Sequence, residues 1–231
     1  MDNIAIRYDF KFNEQSEVFD VLLDGKTLEK ISDAAESKPE WTRLGFHQCN
    51  HCPLSAQTHA HCPVALSLSN VTHRLGNICS HDELDLEVTT KNRTFVGRTT
   101  AQRAISSLIG LLIATSGCPH TEYMKPMARF HLPLATEEDT IFRAVGMYLL
   151  AQYFLRKDGK TEDISLQGLT NIYKNLHVLN KSIAERIRFS APADASVNGL
   201  ILLDMFTSLM PYMIEDHLDE IRYLFEPYLS E

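Results

Sequence analysis

Apolar and polar residues alternate at the start of the chain: Ile4, Ile6, Tyr8, Phe10 and Phe12 are spaced by Ala5, Arg7, Asp9 and Lys11. Side chains along a strand point to opposite faces in turn, so this period predicts a strand with one buried face. Residues 13–16 supply turn chemistry, and residues 18–23 return as a partner strand, up to a turn at Asp24 and Gly25. Further on, residues 84–90 carry Leu84, Leu86 and Val88 on one face, with residues 93–96 placed to pair against them. The expectation is an antiparallel sheet of three or four strands.

From residue 99 the period changes. Ile105, Leu108, Ile109, Leu112 and Ile113 recur at helical spacing, ended by Ser116 and Gly117. Thr136 is placed to cap a second helix, with Glu137, Glu138 and Asp139 in its positive first turn. Its stripe is Ile141, Val145, Tyr148, Leu149 and Gln152. Leu169, Ile172, Leu176, Leu179, Ile183 and Ile187 predict a long amphipathic helix, stopped at Ala191 and Pro192. Residues 197–210 predict another, interrupted at Pro211 before a last helix over 214–224. The whole reads as one α+β domain, residues 1–231: a β-hairpin region (1–45), a cysteine-rich segment (46–80), a strand pair (81–98) and a helical bundle (99–231).

Composition narrows the classes. With 44% hydrophobic and 23% charged residues, a chain of 231 residues can bury a sizeable core. Lys and Arg total 22 against 30 Asp and Glu, for a net charge of -8. No Lys/Arg cluster stands out, which disfavours a nucleic-acid partner, since phosphate binding needs a concentrated basic surface. The first residues show no basic stretch followed by an apolar one, so no secretory leader is read. The most apolar run, residues 105–115, is short and contains Ser106, Ser107 and Gly110, so no membrane span is expected. A cytoplasmic setting follows as the expectation, and in a reducing compartment clustered cysteines point to metal or redox chemistry rather than disulfides.

Cys49 and Cys52 form a C-x-x-C pair, Cys62 follows, and Cys118 is remote. Cys52, Cys62 and Cys118 each precede a proline. Proline suits the first position of a helix, which would put each of these sulfurs at a cap, near free amides that favour thiolate. Three helix starts converging on one ion is the resulting picture. The fifth cysteine, Cys79, has neither feature and reads as a spare buried thiol. Four thiolates suit a closed, tetrahedral zinc site; an iron–sulfur cluster is the alternative. His47, His51, His59, His61 and His120 lie near the cysteines, with His47 and His120 the reserve ligands. Arg129 and His131 are a further candidate pair, an anion clamp and an acid/base in a pocket beside the metal site. The competing reading has both residues tying down a loop.

The pattern as a whole resembles an uncharacterised bacterial family, a domain of unknown function. The resemblance is carried by Trp41-Thr42, Cys49-Asn50-His51-Cys52-Pro53-Leu54, Cys62-Pro63-Val64-Ala65, Ser116-Gly117-Cys118-Pro119, the run from Met127 to Pro133, and Asp194-Ala195-Ser196-Val197-Asn198. It implies a shared architecture and the same four cysteines, and no reaction. No H-E-x-x-H, G-x-S-x-G, P-loop or dinucleotide glycine loop is present. The expected function is therefore a non-catalytic binding or regulatory module with structural zinc and an unidentified protein or small-molecule ligand. An iron–sulfur redox or sensor protein and a metalloenzyme with a pocket near Arg129 and His131 are the alternatives.

Overall fold

The alternating N-terminal segment forms β1 (Ile4–Phe12), which pairs with β2 (Gln15–Leu23) on one side and β3 (Glu83–Thr90) on the other. β4 (Thr94–Thr100) completes an antiparallel sheet in the order β2-β1-β3-β4. This is a computed structural model, and it describes residues 2–12, 15–31, 38–189 and 194–230. The predicted turn at Asn13 and Glu14 and the helix stop at Ala191 and Pro192 lie outside the described residues. The register places Tyr8 opposite Phe19 and Val88, and Phe10 opposite Leu86. Ile6, Tyr8, Phe10, Phe19, Val21, Leu23, Leu86 and Val88 are all buried. A slip of one residue would turn a whole strand's apolar set to solvent, so the alternation specifies this pairing.

Between β2 and β3 runs the cysteine-rich segment, which contains α1 (Pro63–Arg74). The helices α2 (Ala101–Ala114), α3 (Lys125–Arg129), α4 (Glu137–Lys157), α5 (Gln167–Arg188), α6 (Ala195–Tyr212) and α7 (Glu226–Leu229) follow. The α+β class with an N-terminal sheet and a helical C-terminal part is thus as read from the sequence. α2 touches β3 and β4 as well as α6, and α6 packs in turn on α5. The approach of α6 to α2 is close. A Cβ added at Gly199 would lie 3.1 Å from the Gln102 carbonyl oxygen and 3.1 Å from Ile105 Cγ2.

α4 starts in a full capping box, with Thr136 Oγ1 accepting from the Asp139 amide and the Asp139 carboxylate accepting from the Thr136 amide. Its buried stripe is narrower than the pattern suggested: Ile141, Ala144, Val145 and Gln152 are buried, and Leu149 is exposed. Leu149 lies about 80° around the helix from Ile141, at the edge of that face. The predicted last helix is also different. α6 runs through Pro211 to Tyr212, and the chain then passes through a π turn (Met213–His217) and a 3₁₀ stretch (Leu218–Phe225) before α7. Proline lacks the amide that would continue the α ladder, so the hydrogen-bond pitch changes just beyond it. Among the described residues, no helix is long and apolar enough to cross a membrane.

Candidate functional site

Three segments carry the four cysteines, and local hydrogen bonds bring the segments together. Cys49 and Cys52 sit in a tight turn in which the Cys52 amide donates to the Cys49 carbonyl at 3.0 Å. Cys62 is held beside it because residues 42–44 and 60–62 pair: the Cys62 amide donates to Thr42 O at 2.8 Å, and the Leu44 amide to Ala60 O at 3.0 Å. Cys118 follows α2 through Gly117, whose φ of +82° takes the chain out of the helix. The Cys118 amide then donates to Ser116 Oγ at 3.2 Å.

Two histidines join the remote turn to the C-x-x-C loop. His120 Nε2 donates to the His51 carbonyl at 2.9 Å, and His51 Nε2 donates to the Asn175 carbonyl of α5 at 3.1 Å. Their rings stack at 4.0 Å. Carbonyls only accept, so both rings carry the proton on Nε2. The His51 Nδ1 is buried and has no partner among the described residues.

The four thiols share one electrostatic environment. A negative charge on Cys49, Cys52 or Cys62 is felt at Cys118, and Cys49 in turn feels Cys62 and Cys52. Burial is the largest influence on three of them: it raises the Cys49 and Cys62 thiols and pushes Cys118 up to about 12. Donors oppose it. The amides of Ala65 and Val64 point at the Cys62 sulfur without closing a side-chain cap, the His120 amide faces Cys118, and the Ser182 hydroxyl faces Cys49.

Among the described residues, Arg186 from α5 is the cation whose charge acts on the group. Its side chain is buried, with 1% of the residue exposed, and its guanidinium donates to the carbonyls of Trp41, Arg43 and Leu44 at 2.8–2.9 Å. Its charge acts on Cys49 and Cys62 and is favoured in return by Cys62, Cys49 and Cys52. The Nε hydrogen has no acceptor among the described residues. Arg186 was missed in the sequence, although it lies three residues after Ile183 on the stripe of α5.

Some expectations need correction. All five cysteines are free, and Cys79 is exposed rather than buried. Only Cys62 caps an α-helix; Cys52-Pro53 leads into a loop and Cys118-Pro119 into a turn, because each proline is followed by too few residues before the chain bends. His47 Nδ1 meets Glu185 at 3.1 Å, His61 Nδ1 meets Thr42 Oγ1 at 2.8 Å and His59 Nδ1 meets Thr58 Oγ1 at 2.9 Å. Among the described residues, no three His, Cys, Asp or Glu side chains form a group arranged to hold a metal ion. The four sulfurs influence one another at charge-interaction range.

Arg129 and His131 go to different places. Arg129 is exposed and lies over the Phe130 ring at 5.5 Å. His131 lines a cleft of about 560 Å³ between α2, α3, α4, α5 and α6. Its Nε2 bonds the hydroxyl of Tyr8, which also meets Ser107 Oγ at 3.0 Å. Burial, with help from the Arg143 charge, lowers the His131 pKa to about 4, so the ring is neutral near pH 7.

A family model described as a domain of unknown function, DUF6901, matches residues 4–226 of the chain. No curated protein and no solved structure matches it.

Proposed function

Starting from a chain that belongs to the DUF6901 family, we propose that Cys49, Cys52, Cys62 and Cys118 together hold one zinc ion, in a non-catalytic module that binds a partner or a small ligand. The observation that carries this reading is the buried Arg186, whose charge acts on the thiols and which has no carboxylate in contact among the described residues. A dication with four thiolates leaves two negative charges in a poorly solvated place. An adjacent guanidinium offsets one of them, and the amides of Val64, Ala65 and His120 supply donors to sulfur.

The donor set fits a thiophilic ion. All four sulfurs are free, Cys62 and Cys118 are buried, and His51 and His120 spend their Nε2 protons on carbonyls. When bound, the ion would join the loop between sheet and helices to the end of α2, and binding would draw the sulfurs from charge range into bonding range and displace their protons.

The test is elemental analysis of protein purified without air, followed by cobalt substitution. About one zinc per chain and cobalt absorption of four-sulfur type are expected, with metal lost in Cys118→Ser. Iron with acid-labile sulfide would replace zinc by the cluster reading. Folded protein that neither contains nor takes up metal would refute both.

A further inference from the structure

We propose that the cleft lined by His131 is a binding site for an apolar small molecule that ends in a carboxylate, its charged end on Arg143 and Tyr173 and its body along Leu111, Leu134, Leu203 and Phe206. The site is separate from the cysteines and stands whether or not they hold a metal.

Size and lining come first. About 560 Å³ lies within the roughly 300–1,000 Å³ range of small-molecule sites, and aliphatic and aromatic side chains make up a little over half of the walls, with polar groups set among them. The wall around His131 is built from the core outward. Tyr8 reaches from β1 to Ser107 on α2 and to His131, and Ser107 Oγ also accepts from the Leu134 amide at 3.3 Å. A wall cross-linked in this way does not need to be ordered by the ligand, which lowers the cost of binding.

Charge then selects the ligand end. The charged lining residues are Arg103, Glu137 and Arg143; two cations less one anion leave one positive charge, in a chain whose net charge is -8. Arg103 and Glu137 are exposed, so Arg143 is the charge withdrawn into the cleft. Its Nη2 donates to the carbonyls of Met127 and Phe130, each at 2.9 Å. A guanidinium has five N–H donors, so three remain on Nε and Nη1, with no acceptor among the described residues. Asp139, the acid whose charge Arg143 feels, has its carboxylate engaged by Thr136. Beside Arg143 stands the buried Tyr173, whose hydroxyl makes no hydrogen bond to a described residue. One guanidinium and one phenol offer donors to a single planar anion, whereas a phosphate would call for more cations or a row of amides. His131, being neutral, adds no second charge.

Isothermal titration with dodecanoate and dodecan-1-ol, both below their aggregation concentrations, tests this on the unmodified chain. Dodecanoate is expected to bind once per chain, and the alcohol about tenfold more weakly or worse, the loss of a charge-assisted contact. Arg143→Gln should bring the acid down to the alcohol, and Arg143→Lys should restore part of the difference. Gly110→Leu fills the cleft where an added Cβ meets only Leu203, at 3.6 Å, and should weaken both ligands about tenfold. Equal binding of acid and alcohol, no saturable binding of either, or Gly110→Leu binding as tightly as the unmodified chain would each overturn the proposal.

Discussion

Among the described residues, Arg186 and Arg143 are withdrawn from solvent and bonded to backbone carbonyls alone, and they are provided for differently. Arg186 and Arg143 both donate to backbone carbonyls, three in one case and two in the other. Neither has a carboxylate in contact among the described residues. Beside Arg186 stand thiols, side chains that become anions when a metal displaces their protons. Beside Arg143 stand a phenol, a neutral imidazole and an open cleft. An uncompensated charge away from water is costly, so each site has an anion to gain. On the zinc reading the first gains it as sulfur; in the second it has to arrive.

The sharpest way to break that comparison is Arg186→Met. It would leave the Trp41 and Leu44 carbonyls without a donor and the Arg43 carbonyl with the Phe46 amide alone, and is expected to lower unfolding stability by about 4 kcal/mol, read from urea titration. On the zinc reading, it should also weaken metal affinity about 10- to 100-fold, measured by competition with a chromophoric chelator. Loss of stability without any change in metal affinity would reduce Arg186 to a clamp on residues 41–44.

A somewhat smaller effect belongs to His131. Its folded pKa, about 4, lies below the ordinary value of 6.5, so between those values the unfolded chain binds the proton more readily. The contribution is fully present above pH 6.5 and is lost as pH falls towards 4, by about 3 kcal/mol at most. Comparing acid titrations of the unmodified chain and His131→Asn isolates it; equal slopes would show that the ring titrates normally.

The two glycines of the α2–α6 contact separate close packing from open cleft. Gly199→Ala drives a methyl against the Gln102 carbonyl and should cost about 2 kcal/mol in thermal or urea unfolding. Gly110→Ala meets only the Leu203 side chain at van der Waals distance, so helix propensity decides and stability should rise by up to about 1 kcal/mol. A loss at Gly110 would mean that α2 and α6 are closer there than the cleft requires.

The sheet was legible because its signal is local: alternation at Ile6, Tyr8 and Phe10 states which face is buried. The cap of α4 was legible for the same reason, since Thr136 and Asp139 are three residues apart. The cysteines were nameable from spacing, but the two features that give their surroundings a character were not. Arg186 looks like an ordinary basic residue in the last turn of a helix, and only its position on the stripe of α5 hinted at burial. The cleft was half seen: His131 lines it and Arg129 does not, because α3 ends at Arg129 and the chain turns before His131.

By itself, then, the order of residues determined the strands, the course of α2, α4 and α5, one helix cap and the spacing pattern that singles out four cysteines, nearly all of which depends on neighbours within a few positions. Tertiary structure decided which buried charges face which groups. Arg186 meets residues about 140 positions away and Arg143 meets a cleft walled by five helices, and the burial that makes those charges matter exists only once the segments have packed.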